Sequence, residues 1–385
     1  MRILVLCYEY PPLGGGGGRA AKSVAEELAR RGHEVRVQTA GMRHLPPRET
    51  IEGVEVFRRE SFRRREESCS VAEMALYLVT SFLPTLGHLR AWRPDVIHAH
   101  FAVPTGALAL AAHILSGVPY VLTVQLGDVP GGVPEQTDKL FRWLNPFITP
   151  IWKRAAAITV VSEFVKRLAI EAYGLPVRRI PNGIALEATL PPLVPERQPI
   201  RLLSVGRFNP QKNYPFLIDA LARVADLKNW RLTMIGDGAE MPAVKGRIAA
   251  HGLEDRIELL GWLGAGDVQS QMDGSEVFLM PSLSEGLSVA AVEALKSGLA
   301  ILGSEIGGLT DLVDQGGNGF LVPVNDLDAY AGKLRLLLTN EPLLFQCRSG
   351  SRTKVHEFDL KEIGAEYEET LRAAALLRKK RALGV

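Results

Sequence analysis

The sequence is short of cysteine. Its 385 residues include three, Cys7, Cys69 and Cys347, which lie far apart along the chain. An odd number of scattered cysteines without a C-x-x-C pair excludes a disulfide framework and a zinc ribbon. We therefore expect a reducing compartment, and the cytoplasm is the predicted location.

The sequence also lacks an excess of charge of either sign. Its 45 lysine and arginine residues nearly balance its 43 acidic residues, which leaves a formal net charge of +2. This charge is too small for general binding to polyanions, so attraction would require a local basic patch. The composition therefore argues against a nucleic acid as a partner.

No stretch of the sequence has the pattern of an obvious membrane span or signal peptide. Residues 71–89 are apolar but include Glu73, Pro84 and His88, so we expect a core or interfacial helix. Residues 1–12 have one basic residue and a short apolar run, which predicts a buried first strand. The arginine-rich residues 56–68, with the apolar stretch after them, predict a weak peripheral contact at the inner membrane; a solvated loop is the alternative.

Short apolar runs alternate with amphipathic stretches of helical length along the whole chain. This pattern is typical of parallel strands joined by crossover helices, so we predict an α/β fold with two Rossmann-like, doubly wound parallel sheets. The predicted strands cover residues 2–7, 34–39, 54–58, 95–100, 119–124 and 157–162, and then residues 200–208, 231–236, 256–261, 276–281, 299–304 and 319–323.

Residues 186–200 separate the two series of strands. They contain four prolines and no clear periodicity, so we interpret them as a linker between domains of residues 1–190 and 191–365. The carboxyl ends of both sets of strands should face a cleft. The last helix, about residues 366–385, is expected to pack back on the first domain; a solvated, fraying terminus is the alternative.

Three groups of residues have the chemistry of a phosphate site. Five consecutive glycines, Gly14 to Gly18, follow the first strand and let the backbone approach a ligand, although a flexible turn is the alternative. They are not the dinucleotide fingerprint, which needs spaced glycines and a later acid. Arg207 and Lys212 flank an Asn-Pro turn that would direct both cations to a diphosphate; two exposed cations are the alternative.

The third group is "SEGLSVAAVEAL", which places Glu285 before a predicted helix and Glu293 inside it. The free N–H groups at that helix start would attract phosphate. Carboxylates beside phosphate would repel it unless they accept hydrogen bonds from hydroxyl groups on either side. A nucleotide sugar has that layout, whereas two solvated glutamates are the simpler alternative.

The motifs together resemble the retaining, metal-independent glycosyltransferases of the GT-B fold, in the large family 4. The resemblance runs in order through "PPLGGGGGR", "DVIHAHF", "TVQLGD", "IPNGI", "SVGRFNPQKN", "MIGDG", "LLGWL", "PSLSEGLSVAAVEAL" and "IGGLTDLV". It implies an acceptor-side N-terminal domain and a C-terminal domain that binds a nucleotide-sugar donor. By this resemblance, Arg207 and Lys212 bind the donor diphosphate, Glu293 binds the ribose and Glu285 faces the donor sugar.

The resemblance also implies roles for several other residues. The loop and helix start that add backbone amides to the diphosphate site are Gly286, Leu287, Ser288 and Val289. The segment around Leu260 and Trp262 would hold the base, largely through backbone groups, with Gly236 and Asp237 in a donor-side turn. In the N-terminal domain, Gly15 and Gly16 would approach the donor and acceptor, and Arg19 is a further candidate beside them.

Two positions depart from the family pattern. Gln125 stands where many members carry a histidine near the reacting sugar, and Ala185 follows "IPNGI" where aspartate is common. Glutamine forms hydrogen bonds but is neither an acid nor a base. Asp128 could accept from a sugar hydroxyl or form an Asx turn. His98 and His100 have the alternating spacing of a metal pair but no third ligand, so both are expected to line the cleft or belong to the core.

The implied activity is transfer of a sugar from a UDP- or GDP-sugar to a hydroxyl acceptor, with retention, by front-side substitution. The acceptor would be a glycan, a lipid-linked saccharide or a small molecule, as in polysaccharide biosynthesis. The resemblance implies no metal and no cofactor besides the donor, and the sequence assigns neither the base nor the oligomeric state. The alternatives are a nucleotide-sugar binding protein without catalysis and another GT-B enzyme, such as an epimerase or a nucleotide-sugar synthase.

Overall fold

The computed structural model describes residues 1–66, 69–190, 192–193 and 198–383, and within helices only the backbone of residues 134–143 and 379–383. The chain divides into two compact units. The first unit is Met1–Ala185 with Asp359–Val385, and the second unit is Leu186–Phe358. The chain leaves the first unit slightly earlier than residue 190 and returns before residue 366. Where the chain returns to the first unit, the backbone N–H of Leu360 donates to Ile184 O at 2.9 Å, which fixes the start of the last helix.

The first unit alternates strands and helices from the start of the chain. In order, its elements up to residue 179 are β1 (Arg2–Leu6), α1 (Gly16–Arg30), β2 (Glu34–Gly41), β3 (Arg48–Ile51), β4 (Val54–Glu60), α2 (Val71–Gly87), β5 (Val96–His100), α3 (Ala107–Ser116), β6 (Tyr120–Val124), α4 (Pro134–Lys153), β7 (Ala157–Val160), α5 (Glu163–Tyr173) and β8 (Arg178–Arg179). In the described residues the sheet order is β3-β4-β2-β1-β5-β6-β7-β8, and all pairs except β3–β4 are parallel.

The antiparallel strand β3 was not predicted. It pairs with β4 across a turn in which Glu52 and Gly53 have φ angles of 47° and 80°. Positive φ at both central residues is the geometry of a type I′ hairpin turn. The sequence signal was weak because β3 has polar residues and no buried position. Its place at the sheet edge explains this pattern.

The second unit repeats the alternation with a shorter sheet. In order, its elements are β9 (Ile200–Val205), α6 (Tyr214–Ala222), β10 (Trp230–Ile235), α7 (Met241–Ala250), β11 (Ile257–Gly261), α8 (Ala265–Asp273), β12 (Val277–Met280), α9 (Val289–Ser297), β13 (Ala300–Ser304), β14 (Gly319–Val322), α10 (Leu327–Thr339) and α11 (Glu341–Lys354). The sheet order in the described residues is β11-β10-β9-β12-β13-β14, and every pair is parallel.

This strand order contains one reversal. From β9 the chain builds outward through β10 to β11, and then returns to place β12 on the other side of β9. The carboxyl ends of β9 and β12 therefore flank a topological switch point, where ligands bind in open α/β sheets. Strands β12, β13 and β14 are buried on both faces, as expected for a parallel sheet with helices on each side.

The last helix, α12 (Leu360–Leu383), belongs to the first unit. Tyr367 and Leu371 are buried in the core of that unit. On the helix surface, Glu368 accepts from the Nε of Arg31, the residue that follows α1, at 2.7 Å. The helix thus completes one side of the first sheet with both apolar and ionic contacts.

The predicted strands are all present, with ends that differ by a few residues. The apolar stretch at residues 71–89 forms α2, which starts with a capping box between Ser70 and Glu73. Within the described part of the chain, no helix has the length and apolar character needed to cross a bilayer.

Candidate functional site

The loops that follow β9 and β12 lie side by side in the second unit. The two strands pair in parallel, with Leu202 opposite Val277 and Leu203 opposite Phe278. Both loops consequently leave the same edge of the sheet at the switch point. These loops carry the predicted diphosphate residues and the first glutamate of the pair.

Lys212 and Glu285 form an ion pair between these loops. The Nζ of Lys212 lies 2.6 Å from Oε1 of Glu285, and their side chains are 17% and 10% exposed. Gln211 joins the same loops with its backbone and its side chain, since its carbonyl accepts from the Leu283 N–H and its Nε2 donates to Ser284 O, both at 2.8 Å. The ammonium group is therefore held in a defined position.

The turn after β9 fixes the position of Lys212 by local hydrogen bonding. The side chain of Asn209 accepts from the backbone N–H of Lys212 at 3.2 Å and caps a short 3-10 turn, Pro210–Lys212. Asn213 ends this turn with φ 55°, a conformation that asparagine tolerates well. Arg207 lies before the turn and is exposed.

A second close approach joins the ends of β9 and β10. A Cβ on Gly236, whose φ is 130°, would overlap the carbonyl oxygen of Gly206. The contact is completed by a hydrogen bond from the Phe208 N–H to Asp237 O at 2.9 Å. Gly236 is thus needed for packing of the two loops, whatever its part in donor binding.

The loop around Glu285 is supported from β13 by a residue to which the sequence reasoning gave no role. The Gly308 N–H donates to the carbonyl oxygen of Glu285 at 2.9 Å, and a Cβ on Gly308 would overlap Gly286 O. The motif "IGGLTDLV" contained a signal, because it has paired glycines in the loop after β13, and glycine allows another backbone to approach closely.

Helix α9 begins directly after this loop. Ser288 is its N-cap, and the Ser288 Oγ accepts from the Ala291 N–H at 3.3 Å. Gly286, Leu287 and Val289 are buried beside the cap, so their backbone lies at the positive end of the helix dipole. Glu293 lies one turn further on and is half-buried.

The predicted base-binding segment follows β11 at the neighbouring sheet edge. The Gly236 N–H donates to Gly261 O at 2.8 Å, which connects this segment to the donor-side turn. Leu260 is half-buried, whereas Trp262 is 60% exposed. An exposed indole beside the sheet edge offers a flat apolar surface to a planar ligand.

In the first unit, the glycine run forms the start of α1. The helix begins at Gly16, so Gly16, Gly17, Gly18 and Arg19 lie in its first turn. Gly15 is the N-cap residue, and its N–H donates to the Glu9 carboxylate at 3.2 Å. Gly17 lies against Gln125, since a Cβ at Gly17 would be 3.5 Å from its Cγ. The glycine loop and Gln125 are therefore neighbours.

Asp128 connects two loops of the first unit. Its Oδ1 accepts from the Ala102 N–H at 2.8 Å, and its Oδ2 accepts from the Gln125 N–H at 2.9 Å. Burial raises the pKa of the Asp128 carboxyl to about 7 against the opposing effect of these hydrogen bonds. The side chain holds the backbone of Gln125, which neither proposed role for Asp128 included; contact with a sugar hydroxyl stays a prediction.

His100 is buried at the end of β5, with its ring 4.2 Å from that of His98. Among the described residues, neither ring nitrogen of His100 has a hydrogen-bond partner. Burial lowers the pKa of His100 to about 3, so the ring is neutral. His98 bonds Thr123 at 2.7 Å in the same layer. In the described residues, no group of three or more His, Cys, Asp or Glu side chains could hold a metal ion.

The structure thus assembles the predicted residues into two sets, one in each unit. In the second unit they lie along one edge of the sheet, and in the first unit they surround the start of α1 and the ends of β5 and β6. Sequence reasoning did not identify the supporting residues Glu9, Gln211 and Gly308, whose partners are backbone groups of other loop residues.

Two family models match the chain, one in each half. The model described as Glycosyltransferase Family 4 matches residues 14–188, and the model described as Glycosyl transferases group 1 matches residues 191–354. The first includes the glycine loop and Gln125. The second includes both cations and both glutamates of the site.

Relatives in other organisms are also glycosyltransferases. An uncharacterized glycosyltransferase of Methanocaldococcus jannaschii is 26% identical over 86% of this chain and 87% of its own length. The UDP-Gal:alpha-D-GlcNAc-diphosphoundecaprenol alpha-1,3-galactosyltransferase of Escherichia coli is 28% identical over 69% of this chain and 72% of its own length.

Solved structures share the fold over almost the whole chain. Sucrose-phosphate synthase from Thermosynechococcus elongatus superposes with a TM-score of 0.83 at 20% identity, covering 97% of this chain and 98% of its own. The Anabaena protein HepE, in complex with UDP and glucose, gives 0.76 at 21% identity, covering 97% and 100%. Since the family models span both units and the relatives are glycosyltransferases, the chain belongs to the group 1, family 4 glycosyltransferases and has the GT-B fold.

Proposed function

We propose that this glycosyltransferase moves a sugar from a nucleoside diphosphate sugar to a hydroxyl acceptor, with retention of the anomeric configuration and without a metal ion. The observation that carries the proposal is the Lys212–Glu285 pair beside the start of α9, at the switch point of the second sheet. This arrangement supplies a cation, backbone N–H groups and a carboxylate around one point.

The cationic groups suit a departing diphosphate. Lys212 supplies a compact charge, Arg207 can donate two parallel hydrogen bonds to phosphate oxygens, and the start of α9 adds a partial positive charge. Groups held ready for charge that develops in the transition state contribute about 3 to 4 kcal/mol each in comparable sites. Together they would replace the divalent cation that often stabilises a leaving diphosphate.

Glu285 has a second task in this proposal. Its contact with Lys212 reduces the repulsion between the carboxylate and phosphate, while Arg207 and the start of α9 keep the site attractive to an anion. The carboxylate has further lone pairs that can accept from a hydroxyl of the donor sugar. We assign Glu293, one turn into α9, to the ribose, as the family resemblance implies.

The proposed reaction is a front-side substitution. The bond from the anomeric carbon to the diphosphate oxygen breaks, and the acceptor oxygen forms the new bond on the same face. The acceptor proton goes to the departing phosphate oxygen, so no protein base is required. Gln125 then acts by hydrogen bonding alone, in a position held by Asp128.

We propose a UDP-hexose as the donor. The name of the Escherichia coli relative includes UDP-Gal, and the Anabaena structures hold UDP with glucose or UDP-glucose. The same relative acts, by its name, on a sugar linked to diphosphoundecaprenol, so a glycan or lipid-linked saccharide is the first acceptor class to test. We place the enzyme in the cytoplasm, where its free thiols would stay reduced.

The experiment compares UDP-, GDP- and ADP-hexoses with the purified full chain. Thermal stabilisation identifies the donor, since a ligand at 100 times its Kd stabilises by about 2.7 kcal/mol. Release of nucleoside diphosphate in the presence of acceptor saccharides then measures transfer, and NMR of the product identifies the anomer. A product of inverted configuration would contradict the proposed mechanism.

Two further outcomes of this experiment separate the alternatives. Stabilisation by a donor without release of nucleoside diphosphate would favour a binding protein, which the presence of Gln125 makes worth testing. Loss of transfer in EDTA, with recovery on addition of a divalent cation, would show that the reaction requires a metal.

A further inference from the structure

Helix α2 exposes a line of large apolar side chains on one face. Val71, Val79 and Leu83 are 61%, 73% and 72% exposed, and Ala75 and Phe82 are exposed with them. Their spacing of three to four residues puts them on the same side of the helix. We call Val71, Ala75, Val79, Phe82 and Leu83 the apolar face of α2.

The opposite side of α2 is fixed to the sheet. Tyr77 is fully buried, and its hydroxyl donates to Gln38 O at 3.3 Å. The side chain of Gln38 in turn donates to the Thr85 Oγ1 at 2.6 Å. Because these contacts set the rotation of the helix, the apolar face points away from the sheet as a defined surface.

Exposed arginines lie near both ends of the apolar face. Arg64 and Arg65 precede the helix, next to the exposed Glu66 that pairs with His44, and Arg90 and Arg93 follow it. The acidic residue within the helix, Glu73, accepts from the backbone N–H groups of Ser70 and Arg64, which compensates its charge. The surface therefore combines apolar side chains with positive charge at its two ends.

A hollow at the amino end of α2 has the same mixed character. It encloses about 530 Å³, and its lining includes Phe62, Arg64, Arg65, Ala72 and Leu76, together with Ser70 and Glu73, which bond to each other. Phe62 is itself 54% exposed. Cationic and apolar groups in one hollow suit a phosphate group that is attached to an acyl chain.

We propose that the apolar face of α2, with Phe62, Arg64 and Arg65, docks the enzyme on a bilayer that contains anionic phospholipid. The helix would lie parallel to the membrane plane, with its apolar side chains among the acyl chains and its arginines at the phosphates. This inference does not depend on which donor or acceptor the enzyme uses.

A second copy of the chain is a less suitable occupant of this surface. In a two-fold symmetric contact the same patch faces itself. Whether two α2 helices ran parallel or antiparallel, arginines at their ends would meet arginines of the other copy. Like charges disfavour that contact, whereas they favour an anionic bilayer.

Sedimentation with vesicles tests the proposal on the full chain. Vesicles of phosphatidylcholine alone are compared with vesicles that contain 30% phosphatidylglycerol. We expect the protein to bind the anionic vesicles and to be released as salt is raised. The double variant Val79→Asp/Leu83→Asp should have an affinity for the anionic vesicles that is lower by about tenfold or more. At low salt, Arg64→Gln/Arg65→Gln should lower this affinity by about tenfold.

The matched control is Phe345→Ser in α11 of the second unit, because Phe345 is 49% exposed but lies outside the proposed surface. It should bind as the unmodified protein does. If the aspartate variant unfolds, Val79→Ser/Leu83→Ser replaces it. Absence of binding to anionic vesicles, or equal binding by the α2 variants, overturns the proposal. So does a concentration-dependent dimer that the α2 substitutions abolish.

Discussion

The ammonium group of Lys212 lies 2.6 Å from the carboxylate of Glu285, although the two residues are 73 positions apart in the chain. The contact links the loops after β9 and β12, the two strands on either side of the reversal in sheet order. The fold thus brings a cation and an acid together where α/β proteins bind ligands. Each partner holds the other in place before any substrate arrives.

Replacing either cation of the proposed diphosphate site should slow transfer. We expect Lys212→Ala and Arg207→Ala to lower kcat by about 100-fold or more, since each removes a group aimed at the departing charge. Lys245→Ala, an exposed lysine on α7, is the control and should keep the original rate. Measured initial rates within a factor of three of the unmodified enzyme would contradict the role of either residue.

The ion pair should also contribute to the stability of the second unit. Lys212→Ala leaves a nearly buried carboxylate without its counter-charge, so we expect a loss of about 1 to 3 kcal/mol. The double variant Lys212→Ala/Glu285→Ala should lose less than the sum of the single variants, because their effects are coupled. Urea unfolding of the four proteins measures this coupling, and strict additivity would mean that the pair is not formed in solution.

A methyl group at Gly308 should disrupt the loop that carries Glu285. Its Cβ would overlap the carbonyl oxygen of Gly286, so Gly308→Ala must displace the backbone before α9. We expect a lower unfolding temperature and loss of the stabilisation that UDP-sugars provide. Gly332→Ala is the matched control, because Gly332 lies inside α10 with open space at its Cβ, and alanine there should be neutral or stabilising by up to about 1 kcal/mol.

The sequence was sufficient to predict the fold class and most strands. Strands such as β1 and β12 are buried on both faces, so they are continuous apolar runs that are easy to recognise in the sequence. The edge strand β3 gave no such signal, because an edge strand with polar side chains differs little from a loop. The prediction missed β3 because none of its side chains is buried, so its sequence lacks the apolar pattern of a buried strand.

The candidate site was predictable where side-chain chemistry carries the function. Arg207, Lys212 and Glu285 stand out as charged residues next to predicted strands and turns. The contacts of Gln211 and Gly308 involve backbone carbonyl and N–H groups of distant loops, and their geometry exists only after the strands are ordered. The two hydrogen bonds that Asp128 accepts from the backbone of Ala102 and Gln125 could not be predicted for the same reason.

The buried ring of His100 should make the first unit sensitive to acid. Its pKa is lowered to about 3, while an imidazole in the unfolded chain titrates near 6.5. Stability from this group is thus present above pH 6.5 and is lost as the pH falls towards 3, by up to about 1.4 kcal/mol per pH unit. Burial lowers the pKa of His88 to about 4, so that residue adds to the same trend.

The variant His100→Gln should remove one part of this acid sensitivity. Unfolding free energies at pH 7, 6, 5 and 4 should fall less steeply for the variant than for the unmodified protein. His356→Gln, at an exposed position of the second unit, controls for loss of an imidazole as such. Parallel pH profiles for His100→Gln and the unmodified protein would show that His100 is not protonated on unfolding.

The carboxyl of Asp128 should have the opposite pH dependence. Its pKa is raised to about 7 in the folded protein and is near 3.9 when the chain is unfolded. The stability from this group is present below pH 3.9 and is lost as the pH rises through 7.

Asp128→Asn cannot titrate, and its amide places a donor opposite one of the two N–H groups, which costs about 1 to 3 kcal/mol. The variant should therefore be less stable than the unmodified protein at pH 5, and this difference should shrink by pH 8. Thermal unfolding at both pH values measures the change. A difference that stays constant would mean that the bonds from Ala102 and Gln125 keep the carboxylate ionised throughout.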